Sequence, residues 1–203
     1  MKILLLLMSL AIPGMLFSAE SGLYCIKVKI VESMVAIAVD VNLSTVTLRR
    51  ADGSEYIVVG SSVISRQDDR TLVKNVGGGN VSLKLKISEV PSGWQVGTNS
   101  LSDVGPNKFV LATVYENWDG TPQWDWFGNE DIITTNYKNA EEGGSNKVFA
   151  TSGTQQNEDG VNIPPGEEVS NFYFFHAPTS LTNSNQYNTD LFIKVTVTAY
   201  SAQ

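Results

Sequence analysis

The 203-residue sequence has one cysteine and one histidine. A lone cysteine, Cys25, excludes any intramolecular disulfide, leaving it as a buried inert thiol or as an intermolecular bond formed in an oxidising compartment. With His176 as the only imidazole, zinc held by the usual histidine and cysteine ligands is excluded. Charge is also scarce. Only 17% of residues are charged, against about a quarter in an average globular chain, while 42% are hydrophobic. Ser, Thr, Asn, Gln and Gly must therefore cover much of the surface, in an extracellular style. Basic residues number 14 against 21 acidic, a net charge of -7 and a pI near 4.7. Such a field repels phosphate backbones and anionic headgroups, which argues against nucleic acid as a partner.

A long apolar run is missing everywhere but near the start. Lys2 precedes an apolar stretch over residues 3–7 that continues through Met8, Leu10, Ile12, Met15, Leu16 and Phe17, broken by Pro13-Gly14. It is too short for a spanning helix of about 20 residues and has the layout of a secretory signal peptide. Ala19-Glu20-Ser21 supplies small residues, so we expect residues 1–21 to be removed and residues 22–203 to be exported, with no membrane contact after signal removal. A membrane-anchored N-terminus is the alternative. Gly22-Leu23-Tyr24 ahead of Cys25 lacks the small residue a lipoprotein site needs.

What is present is strand periodicity, with no sustained helical period. Val81, Leu83, Leu85 and Ile87 alternate with Ser82, Lys84, Lys86 and Ser88, and Leu191, Ile193, Val195, Val197 and Ala199 alternate with polar residues and Phe192. Each set places its apolar side chains on one strand face. Further strands are expected over residues 24–31, 35–41, 46–49, 56–59, 71–76, 108–115, 147–151 and 169–176, bounded by Gly, Pro and Asn. Strands without intervening helices favour one all-β antiparallel β-sandwich over residues 22–203. Residues 95–160, rich in Asn, Gly, Trp and acidic groups, read as an elaborated insertion, where loop-borne function would sit.

Few constellations offer chemistry. A triad would have to use His176, yet no Gly-x-Ser-x-Gly elbow exists and Cys25 has no nucleophile signature, so the chain reads as a non-enzyme with no cofactor. Asp119, Asp125, Glu130 and Asp131, with Glu158-Asp159-Gly160, could offer oxygens to calcium. Without an EF-hand spacing they read as solvated acidic loops, and no metal is assigned. Gly77-Gly78-Gly79 precedes a strand rather than a helix, so a hairpin turn with positive φ is expected, not a phosphate cradle. The densest cluster is Trp118, Trp124, Trp126 and Phe127. These rings suit stacking on sugar faces, a subunit interface, or a local core under a long loop.

Two blocks carry a family resemblance. Asn75-Val76-Gly77-Gly78-Gly79-Asn80, the alternating strand to Val90 and Pro91-Ser92-Gly93-Trp94 form the first; Pro164-Pro165-Gly166-Glu167, the aromatic strand after it, Ala177-Pro178 and the terminal strand form the second. Together they resemble the secreted immunoglobulin-like modules of bacterial surface and carbohydrate-associated proteins. The resemblance implies a spacer, assembly unit or binding accessory.

The expectation is a structural subunit of an extracellular filament, sheath or surface layer, partnered by copies of itself. A secreted module binding polysaccharide through the tryptophans is the alternative. Residues 23–31 lie just behind the expected cleavage site, and there Ile26, Val28 and Ile30 alternate with Lys27 and Lys29. That pattern suits either donation to the open edge of a neighbouring sandwich or pairing as the first edge strand of the same domain.

Overall fold

The computed structural model describes residues 37–39, 46–49, 53, 55–116, 122–140, 148–150, 160–186 and 190–201. The expected signal peptide, the strand over 24–31 with Ile26, Val28 and Ile30, Cys25, Trp118, Asp119 and Glu158-Asp159 lie outside the described residues. Among the described residues the chain is all-β, and helix is confined to three-residue 3-10 turns. No helix there is long and apolar enough to cross a membrane.

The strands are β1 (Ile37–Val39), β2 (Ser62–Ile64), β3 (Thr71–Asn75), β4 (Val81–Glu89), β5 (Gln95–Val96), β6 (Lys108–Glu116), β7 (Lys138–Asn139), β8 (Glu168–His176) and β9 (Lys194–Ser201). They form two sheets. The larger runs β1-β3-β8-β6-β5, with β2 also on β8; the smaller runs β7-β4-β9. All pairs are antiparallel except β5 with β6.

The small sheet follows directly from alternation. In β4, Val81, Leu83, Leu85 and Ile87 are buried, and the last three stand opposite Ala199, Val197 and Val195 of β9. Their side chains join Val73, Phe109, Leu111, Tyr173 and Phe175 of the large sheet in one hydrophobic cluster. Each fully buried aliphatic or aromatic side chain there contributes about 1.5–3 kcal/mol. The outward face of β4 carries Lys84 and Lys86, whose ammonium groups lie 5.0 and 4.6 Å from the Tyr137 ring centroid.

β6 and β8 are buried on both faces. Phe109, Leu111 and Tyr115 point to the shared core with Tyr173 and Phe175. Val110, Ala112 and Val114 point the other way with Phe172 and Phe174, into a second cluster. Polar groups inside β8 are paired. Asn171 Nδ2 donates to the Tyr173 hydroxyl at 2.9 Å, and that hydroxyl lies 2.8 Å from Thr71 Oγ1. β2 and β3 meet β8 on the same edge, separated by residues 65–70. Across this interruption Ser65 replaces the ladder, accepting the Tyr173 amide on its hydroxyl at 2.9 Å and donating its own amide to the Tyr173 carbonyl at 2.7 Å.

Several expectations change. Residues 46–49 and 56–59 are not strands. Val46, Leu48 and Ile57 instead rest on the margin of the core, and Tyr56, Val58 and Val59 are exposed ahead of a turn at Gly60. The terminal strand starts at Lys194 rather than Asp190, where β4 ends in an irregular register between Ile87 and Glu89. The glycines at 77–79 do not make a hairpin with positive φ, because β3 and β4 belong to different sheets and none of the three has positive φ. The buried Asn75 shapes that crossing: its carboxamide accepts the Gly77 amide at 2.9 Å and donates to the Gly79 and Ile163 carbonyls at 2.8 Å each. Residues 95–160 hold β5, β6 and β7, so the stretch expected as an insertion also supplies a central strand of the large sheet.

Candidate functional site

The tryptophan-rich segment lies on the outer face of the large sheet, where alternate residues of β6 and β8 present an apolar surface. Two 3-10 turns, Trp124–Trp126 and Asn129–Asp131, cover it. Trp126 meets Phe172 edge-on, with centroids 6.1 Å apart. Phe127 and Trp124 both meet Phe174 at 5.9 Å, and Phe174 in turn meets His176 at 6.4 Å. Such edge and tilted pairs add about 0.5–1.5 kcal/mol each beyond area burial.

The rings differ in what they offer to a ligand. Trp126 and Phe127 are buried in the second cluster, packed against the aromatic residues of β8. Trp124 is 54% exposed, leaving part of its ring open beside Phe174.

Asp131 anchors this layer and was read in the sequence only as one of several loop acids. It is fully buried. One carboxylate oxygen accepts the Gly128 amide at 2.7 Å and the other accepts the Phe149 amide at 2.7 Å. Burial pushes the carboxyl up to about 7, opposed by the two backbone amides and by Lys138, and reinforced by Glu130. Lys138 also donates to the Glu130 carbonyl and lies 5.7 Å from the Phe149 ring centroid. The three-residue spacing from Gly128 to Asp131, a side-chain acceptor closing a tight turn on itself, is the signal that could have found it. Among the described residues no three His, Cys, Asp or Glu side chains converge on a point where a metal could sit.

His176 is half-buried at the end of β8, with Nδ1 2.9 Å from the Leu101 carbonyl and Nε2 3.3 Å from the Gly60 carbonyl. Whichever nitrogen carries the proton donates to a main-chain oxygen, tying together the loops at that end of the large sheet.

The free margin of β6 is covered in pieces. The Gly97 amide donates to Phe109 at 2.6 Å, Ile133 to Leu111 at 2.9 Å and Tyr115 to Phe149 at 2.8 Å. The same segment then passes to the small sheet, where the Ile87 amide donates to Thr134 and the Ala140 amide to Leu83, each at 2.8 Å. Residues 132–140 thus close one side of both sheets. On the opposite side of the small sheet β9 is the terminal strand among the described residues. Comparison of the chain with protein-family models, with curated proteins and with solved structures gives no match.

Proposed function

We propose that the chain is a non-catalytic structural subunit of an extracellular filament, sheath or surface layer, built on an immunoglobulin-like sandwich and joined by β-strand addition. The observation that carries this reading is the inequality of the two sheets. Among the described residues six strands face three, and at the margin of the small sheet Ile193 and Ala199 are only partly buried against the core. A core closed by fewer strands on one side gains by accepting one more. The segment with Ile26, Val28 and Ile30 has the alternation to supply it, one apolar face for the core and one lysine face for water. The signal-like start and the charge-poor composition support export.

Deleting residues 22–31 tests the reading. The shortened chain is expected to keep its β-type circular dichroism and to stay monomeric under conditions where the full exported chain polymerises. A shortened chain that forms normal filaments would rule out donation.

The exposure of Trp124 favours a second reading, a secreted carbohydrate-binding or adhesion module. In that case Trp124→Ala loses retention on a polysaccharide column, while folding stability falls by only about 1 kcal/mol, because the half-exposed ring gives up little more than its contact with Phe174. Unchanged retention would remove that reading.

A further inference from the structure

Resting on the assembly reading above, we infer that the acceptor is the outer edge of β9 and that its occupant is the segment around residues 26–30 of a second copy of this chain. The hydrogen-bond parity of the small sheet identifies the groups involved. On β4, Val81, Leu83 and Ile87 spend their backbone groups on the side away from β9: the amides donate to Ile163, Gly160 and Thr134, and the Val81 and Leu83 carbonyls accept from Ile163 and Ala140. Ser82, Lys84 and Lys86 therefore form the bonded pairs with Tyr200, Thr198 and Thr196. By the same alternation, the amides and carbonyls of Val195, Val197 and Ala199 point away from β4. Among the described residues no strand pairs with them.

The residues with outward backbone groups are also those whose side chains face inward. Val195 and Val197 are buried and Ala199 packs on the core. In an antiparallel pair, residues directly opposite share a face. A strand bonded at 195, 197 and 199 would thus place its alternate side chains over the same core. Ile26 and Val28 opposite Val197 and Val195, with Ile30 near the partly buried Ile193, meet that demand. Lys27, Lys29 and Cys25 then fall on the outer face of the sheet, beside the buried Thr196 and the half-buried Thr198. An opposite parity would bury both lysines, so the charge pattern fixes the face.

Cys25 provides a direct test. Relative to an added strand, Thr196 and Thr198 occupy non-hydrogen-bonded positions, where facing Cα atoms come close enough for a disulfide. Thr198→Cys and Thr196→Cys, made separately in the chain of residues 22–203, are oxidised and run on a non-reducing gel. One of them is expected to give a ladder of covalent multimers through Cys25, lost when Cys25 is replaced by Ser. Only monomer, whether unlinked or closed internally, would overturn the second-copy assignment.

Ala199→Pro gives the second arm. It removes an amide that β4 does not use, at an edge position that tolerates proline, so the variant is expected to fold by circular dichroism and fail to polymerise. If it folds and polymerises like the parent while deletion of residues 22–31 does not, the β9 edge is the wrong acceptor and donation survives. If the deleted chain polymerises as well, donation itself falls. Should Ala199→Pro not fold, the cross-linking result decides alone.

Discussion

Leu85→Asp abolishes the folded state, whereas Lys86→Asp one residue further on leaves it standing. Leu85 is fully buried in the middle of β4, opposite Val197. Losing its side chain costs about 2–5 kcal/mol by the large-to-small measure, and a buried carboxyl without a partner adds several more. The sum rivals the ordinary stability of a domain, about 5–15 kcal/mol. Lys86 lies on the other face, and its replacement gives up the contact with Tyr137, about 1 kcal/mol at a partly exposed site. Thermal melts of the two variants check the parity of the strand. Equal melting temperatures would mean that the register of β4, and the core with it, is wrong.

The second large effect is on pH dependence. The Asp131 carboxyl sits at about 7 in the folded protein because burial disfavours its charge, against an ordinary value near 4 when unfolded. Between those two values the native state holds a proton that the unfolded chain has released. Stability from this group is therefore fully present below about pH 4 and falls as pH rises to about 7, by an amount on the order of 4 kcal/mol. Asp131→Asn removes the ionisation. It also leaves the Gly128 or the Phe149 amide without its acceptor, a loss of about 1–3 kcal/mol. At pH 4 or below the variant should melt below the wild type, and by pH 8 the gap should close or reverse. Glu130 and Lys138, the neighbouring charges, are the same in both proteins, so the difference isolates Asp131. Parallel melting curves across that range would contradict the assignment.

The strands legible in the sequence are those with one wet face. β4 and β9 alternate because one side meets the core and the other carries the polar residues Ser82, Lys84, Lys86, Thr196 and Thr198, of which the lysines and Thr198 are partly exposed. β6 and β8 were legible as strands but not as doubly covered ones, since a continuous apolar run says nothing about what lies on each side. The aromatic density of residues 118–127 announced a packing site, yet it could not separate the buried Trp126 from the exposed Trp124. That difference depends on where the 3-10 turn meets Phe172 and Phe174, 46 or more positions along the chain. Asp131 reads as surface from composition; its only local cue is the spacing to Gly128, and its second partner, the Phe149 amide, is 18 positions away. Residues 46–49 and 56–59 have strand-like composition, but the ladder beside β8 is filled by β2 and β3, and composition does not count available edges.

The proposal that the chain joins copies of itself is tested most directly by analytical ultracentrifugation of purified residues 22–203 across a range of concentrations. Concentration-dependent growth into large species, visible as filaments or sheets by electron microscopy, is the expected result. A single species with the mass of one chain at every concentration would contradict it.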